Sequence, residues 1–218
     1  MQTWSRPCLV LGSAPNPHVP VLEGMDVICV NSSGYVARNL GLPTPSLTVL
    51  AGFKLVLPKL AEDREALRGL RTKTLLLIMK FRDWTAERAA EALAALDYRY
   101  DELVTISIPD RAEIIRSTTG RRLGGEDGRP AEGVSNGLFA ACYVLHAHAP
   151  KVVFAGISVT RNGHEYSVQD RARVHIEPDK TAIACLLARG YPLFTSEHEL
   201  SAAAGLPLIA AASVAHAD

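Results

Sequence analysis

Residues 8–34 read CLVLGSAPNPHVPVLEGMDVICVNSSG: two short apolar runs, Cys8 to Gly12 and Asp26 to Val30, each running into glycine or small polar residues. Apolar runs of four or five residues with no polar alternation are the pattern of strands covered on both faces, as in a parallel sheet. Outward from this stretch the unit recurs at Leu47 to Leu50, Thr74 to Met79, Leu103 to Ile108 and Lys151 to Ala155, with a short last run at Pro192 to Thr195. Amphipathic stretches lie between the runs. Trp84 to Leu96 is the clearest helix: Ala89, Leu93 and Leu96 share a face, and Asp83 or Thr85 can cap its start. Asn136 to His146 and Asp179 to Arg189 are two more, the latter stopped by Gly190 where a left-handed residue fits. The alternation predicts an α/β class: one Rossmann-like domain over residues 1–218, a mostly parallel twisted sheet with helices on both faces and a short lid.

The chain has 218 residues, 23 Lys and Arg against 23 Asp and Glu, and 48% hydrophobic residues, enough to bury one sizeable core. A formal net charge of zero argues against a general nucleic-acid binder, which draws its affinity from a basic excess that neutralises phosphates. Aromatics are only 6%, and much of the apolar content is Ala and Leu, which favours helices packed on a sheet over an all-β sandwich. The amino-terminal apolar run is too brief for a signal peptide. No segment approaches the roughly 18 consecutive apolar residues needed to span a bilayer. Cys8, Cys29, Cys142 and Cys185 are far apart, with no Cys-x-x-Cys or Cys/His ligand spacing. Buried, reduced thiols in a cytoplasmic protein are expected, and a structural zinc is not.

Ser117 to Gly133, STTGRRLGGEDGRPAEG, carries five glycines, three arginines and no apolar period. It reads as a flexible loop, either a substrate lid or an ordinary surface connection. A second polar stretch, Ser158 to Val174, follows a buried strand, and the Ala-rich tail from Ala202 reads as a final helix and frayed end.

In an open α/β sheet, ligands bind beyond the carboxyl ends of the strands. The first such loop is Gly12-Ser13-Ala14-Pro15-Asn16, where a glycine allows close backbone approach and small residues leave amides to meet a phosphate. The second strand ends at Asn31, whose amide can read a nucleobase or ribose edge or cap a helix. Ser135-Asn136-Gly137 opens a helix directly after the loop, as an anion or ribose site or as a capping turn. The late strand ends at Gly156-Ile157-Ser158 and leads to Arg161 and Tyr166, suited by charge and phenol to hold a phosphate leaving group. His175 is suited to general-base work, because an imidazole titrates near neutral pH.

Taken together, these segments resemble the bacterial sialyltransferases of glycosyltransferase family 42, from residue 8 to about residue 200. The first loop is similar to the family's Gly-x-Gly-Pro-Ser type, Asn31 to its Asn after the second strand, and Ser135-Asn136-Gly137 to its Ser-Thr-Gly helix start. Gly156-Ile157-Ser158, Asn162-Gly163 and Tyr166 match its late strand and phosphate-binding Tyr, and His175 with Asp179 matches its catalytic His ahead of an acidic helix start. Ser158 replaces the usual Asp, Thr160 stands where a second Tyr is expected, and the segment from Gly156 to His175 is shorter than the family's lid.

The resemblance implies a GT-A-like fold variant. It implies transfer of a sialic acid, Kdo or related ulosonic acid from a CMP-sugar donor to a glycan hydroxyl, with His175 as base and no cofactor or metal. Gly12, Ser13, Asn16, Asn31, Ser135, Asn136, Gly137 and Gly156 would hold the nucleotide, and Tyr166 and Arg161 the departing phosphate. Attachment at the inner face of the membrane, to reach surface-glycan acceptors, goes with it. The Ala-rich faces of the last helices suit a homo-oligomer interface or the core equally. Two other readings remain: a Mg-dependent pyrophosphokinase or nucleotide hydrolase using Glu126, Asp127 or Asp179, and a nucleotide-binding domain without catalysis.

Overall fold

The computed structural model describes residues 3–79, 85–123, 133–160, 162–167 and 173–210. Each predicted run forms a strand: β1 (Cys8–Leu11), β2 (Asp26–Val30), β3 (Leu47–Ala51), β4 (Arg71–Met79), β5 (Arg99–Ser107), β6 (Val152–Ala155) and β7 (Leu193–Thr195). They join one sheet in the order β5-β4-β3-β2-β1-β6-β7, every neighbouring pair parallel. The chain walks outward from β1 to β5, then returns to lay β6 on the other side of β1. The carboxyl ends of β1 and β6 therefore form the switch point of the sheet.

Side chains alternate between two covered faces, as strand geometry requires. Cys8, Val10, Ile28, Val30, Val49, Ile78 and Phe154 face one core, while Leu9, Leu11, Val27, Cys29, Val153 and Ala155 face another. The first core is covered by α4 (Ile108–Thr119), α5 (Asn136–His146), α6 (Ile176–Ala188) and α7 (His198–Ala204). On the opposite face lie α1 (Gly34–Asn39), α2 (Ala61–Glu65) and α3 (Ala86–Ala94), the last packing Ala89 and Leu93 against Leu75 and Leu77. Central α5 is buried from Gly137 to Leu145, a helix apolar all round because neighbours enclose it.

Helix starts follow their caps. Thr85 accepts from the Arg88 amide at the head of α3, and Asp83 lies outside the described residues. Ser107 accepts from the Asp110 amide at the head of α4, so β5 stops at Ser107 and Ile108 belongs to the helix.

Two expectations need correction. Ser117, Thr118 and Thr119 are the last turn of α4, not the start of a loop; their hydroxyls donate back to the Ile114 and Ile115 carbonyls, and left-handed Gly120 ends the helix. Most of the expected lid, 124–132, lies outside the described residues, as does part of the second, 168–172. The helix expected from Ala202 is α7, which is nearly complete by then and is stopped by left-handed Gly205; Leu208 then bridges back to Thr195. Among the described residues no helix is long and apolar enough to cross a membrane. Burial pushes the Cys8 and Cys29 thiols up to about 12 and Cys142 to about 11, which favours the protonated thiol.

Candidate functional site

At the carboxyl ends of β1, β2, β3, β4 and β6 the sheet opens into a cleft of about 630 Å³. Gly12, Ser13, Asn31, Ser135, Asn136, Gly137, Gly156 and His175, all named from sequence, line it. Asn16 and Tyr166 are not among its lining residues, and Arg161 lies outside the described residues.

The glycine of the first loop has a different reason from the expected one. Its close approach is to the protein's own backbone: the Gly12 amide donates to Ala155 O at 2.8 Å and the Ala14 amide to Gly156 O at 2.9 Å, locking β1 to β6 at the switch point. The Asn16 amide donates to Glu165 Oε2 at 3.0 Å. Three amides expected to meet a phosphate therefore already serve the fold.

Asn31 begins a tight 3₁₀ turn after β2 with φ of 53°, a left-handed conformation that Asn tolerates better than most residues. Its Oδ1 accepts from Asn136 Nδ2 at 3.1 Å and from the Ala51 amide at 3.2 Å, tying the ends of β2 and β3 to the start of α5. Both lone pairs of that oxygen are thereby used. Ser135 is the N-cap of α5: its hydroxyl accepts from the Leu138 amide at 3.2 Å, and its own amide donates to Asp179 Oδ1 at 2.7 Å. The capping role thus belongs to Ser135 and not to Asn31.

His175 stands at the head of α6, where its carbonyl accepts from the Asp179 amide at 2.9 Å. Its Nδ1 lies 2.7 Å from Gly133 O. A carbonyl only accepts, so Nδ1 carries a proton, and the neutral ring has its lone pair on Nε2. This is the tautomer of a proton acceptor whose orientation is fixed from behind.

Lys54, Arg111, His164 and Arg173, none of them expected as site residues from the sequence, also line the cleft. Lys54 is nearly buried and ion-paired to fully buried Asp63. Arg111 donates from Nη2 to Val134 O at 2.6 Å and lies 5.0 Å over the Phe139 ring, and its Nε is buried with no hydrogen-bond partner among the described residues. The discoverable signal for Arg111 was its place on the turn joining Ile108 to Ile114 and Ile115, a charged residue on the apolar face of a helix. Lys54 follows the carboxyl end of β3, one of the loops the switch-point rule marks for inspection. Lys59, Arg111 and Arg173 line the cleft with Lys54, which Asp63 pairs from behind, and Asp179 is the carboxylate among its described lining residues. A chain of zero net charge has thus gathered positive charge where a ligand would sit. Among the described residues no group of three or more His, Cys, Asp or Glu is placed to hold a metal ion.

Asp179 is buried, and desolvation lifts its carboxyl to about 7, against the lowering influence of the Ser135 hydrogen bonds and of Arg111 and Arg173. A carboxyl raised on folding binds its proton more tightly in the native state. Its contribution therefore favours the fold at pH 4 and is lost as pH rises through 7. Asp179→Asn keeps an acceptor for the Ser135 amide and removes the ionisation. It is expected to unfold in urea like the wild type near pH 4 and to exceed it at pH 8 by a few kcal/mol at most. Equal pH profiles for the two proteins would show that Asp179 does not ionise at a cost.

The sheet order and the switch-point cleft define the class: an open, doubly wound α/β protein with a cleft at the strands' carboxyl ends, the place where such sheets bind ligands. No family model matches the chain, and no curated protein matches it by sequence. Solved structures do match. The sialyltransferase CstII from Campylobacter jejuni, in complex with the substrate analogue cytidine-5'-monophosphate, superposes with a TM-score of 0.59 at 10% identity, over 94% of this chain and 86% of that one. The monofunctional alpha-2,3-sialyltransferase Cst-I from Campylobacter jejuni gives 0.60 at 8% identity, over 95% and 82%. CST-II in complex with trisaccharide acceptor and CMP gives 0.56 at 8% identity, over 93% and 86%. At these identities the likeness is one of fold, and the chain has the Rossmann-like fold of these sialyltransferases.

Proposed function

We propose that the protein is a glycosyltransferase that moves a sialic acid, Kdo or related ulosonic acid from a CMP-activated donor to a glycan hydroxyl. The observation that carries this reading is the convergence of Asn31, the capped start of α5 and His175 on one cationic cleft at the switch point, in a fold shared with sialyltransferases that bind CMP. Asn31 and Asn136, joined at 3.1 Å, present amide groups suited to a cytosine or ribose edge. Arg111 and Arg173 suit the phosphate and carboxylate of such a donor, and Arg161 is assigned to the phosphate by its charge and place in sequence.

In the reaction, the bond from the anomeric carbon to the phosphate oxygen breaks, its electron pair leaving with CMP. The acceptor oxygen forms the new bond on the opposite face, with inversion, and its proton passes to Nε2 of His175. Side-chain cations supply the counter-charge for the departing phosphate, so the chemistry needs no metal. Acceptors displayed at the inner face of a membrane, reached by a peripherally attached enzyme, fit the same reading.

Calorimetric titration with CMP and with ATP, each in EDTA and again with Mg²⁺, tests it. CMP is expected to bind in EDTA. Asn31→Ala, which loses the amide donor and the tie to Asn136 and Ala51, is expected to weaken CMP roughly tenfold. Binding of ATP alone, and only with Mg²⁺, would move the assignment to phosphoryl transfer. Unchanged CMP affinity in Asn31→Ala would remove Asn31 from the nucleotide site.

A further inference from the structure

The residue that the resemblance assigns to the phosphate, Tyr166, is committed elsewhere. Its hydroxyl donates to Asp63 Oδ1 at 2.9 Å, the carboxylate that also holds Lys54, and burial and Asp63 together push the phenol well above its ordinary range. A phenol in that position is a strut behind the cleft wall. What Tyr166 offers the cleft is its ring, on which the His164 imidazole stacks with centroids 5.1 Å apart and planes 4° from parallel. His164 lines the cleft, and the adjoining backbone is pinned to the first loop: Glu165 N donates to Ser13 O at 2.9 Å, and Ser167 N closes a turn onto His164 O at 3.0 Å. Its Nδ1 sits 2.8 Å from Ser13 Oγ.

The geometry points to His164, supported by Ser13 and Lys54, as the group that receives the departing phosphate, with Tyr166 as its positioning residue. This rests on the CMP-donor reading above. The two cleft histidines differ in what lies behind them. The carbonyl behind His175 requires a proton on Nδ1, so the neutral ring has its lone pair on Nε2. The Ser13 hydroxyl behind His164 can donate to Nδ1, which places the proton on Nε2. One ring accepts a proton from the incoming hydroxyl. The other donates a hydrogen bond to the phosphate oxygen as the anomeric carbon–oxygen bond breaks, and keeps its proton. Lys54, held by Asp63, lines the same cleft. The Thr160 hydroxyl, at the position where a second phosphate-binding Tyr is expected, donates to Glu199 Oε2 at 2.9 Å.

Calorimetry with CMP and cytidine, which differ only by the phosphate, provides the test. Wild type is expected to prefer CMP. His164→Phe retains a ring to stack on Tyr166 but has no donor; it is expected to lose roughly tenfold in CMP affinity with cytidine unchanged. His164→Gln, which restores a donor, is expected to recover most of that loss, and Tyr166→Phe, which keeps the stack, to stay within about threefold of wild type. Should His164→Phe fail to fold, His164→Ala carries the same expectation. A CMP-to-cytidine preference unmoved by loss of the imidazole would overturn the assignment and leave the transferase reading standing. Failure of the wild type to bind CMP would overturn both.

Discussion

Gly12→Val is expected to lose on the order of 4–5 kcal/mol of stability, comparable to the whole stability of many domains. A Cβ on Gly12 would stand 2.2 Å from Gly156 O, 2.5 Å from Ile157 Cδ1 and 2.8 Å from Gly156 C. Two of these are backbone atoms held by the hydrogen bonds that join β1 to β6, so relief means separating central strands of the sheet. Gly156 cannot take the strain in its place: its φ is 62°, and its own Cβ would lie 2.8 Å from Gly12 O. Urea unfolding followed by circular dichroism checks this. A variant with a midpoint near that of the wild type would show that the crossing of the two glycines yields easily. The effect on ligand binding would follow from the fold, because the same crossing forms the floor of the cleft.

His175→Ala is expected to lower turnover about a hundredfold or more, some 2.7 kcal/mol in the barrier, while CMP binds within a few-fold of wild type. The separation of the two effects follows from the geometry. The elements assigned to the nucleotide are held without the imidazole: Asn31 by Asn136 and Ala51, and Ser135 by Asp179. The His175 backbone contact to Asp179 also survives in alanine. What disappears is a ring aligned by Gly133 O so that its neutral form carries the lone pair on Nε2. Added imidazole is expected to restore part of the rate, as replacement of a missing base should. Collapse of CMP binding would make His175 a nucleotide contact. Turnover unaffected by the change would remove it from the chemistry.

Strands were the most readable feature of this chain because the central ones, β1, β2, β3 and β6, are covered on both faces and so approach a continuous apolar run, while edge strand β5 is largely exposed; β2 and α5 were read to the residue. α4 escaped because its apolar positions are few and its last turn is polar. Thr118 and Thr119 look like loop residues in a window of sequence, yet their hydroxyls return to carbonyls one turn earlier and both are buried. Several cleft residues were legible as well: the carboxyl end of a parallel strand is a known place, and Gly12 and Asn31 directly follow such ends, while Ser135 and His175 stand at helix starts.

Side-chain direction was another matter. Tyr166 sits in the expected segment, but Asp63, 103 positions earlier, captures its hydroxyl and turns it from the cleft. Lys54 after the end of β3 and Arg111 on the apolar side of α4 each carry a local signal, but the packing of α4 and the turn after β3 brings them to one cavity. Local periodicity is a property of neighbouring residues, so strands, helix caps and the α/β class could be read along the chain. The order β5-β4-β3-β2-β1-β6-β7, the crossing of Gly12 with Gly156 and the partners of His164 and Tyr166 depend on contacts between distant segments, where burial and hydrogen-bond satisfaction over the whole fold select one arrangement.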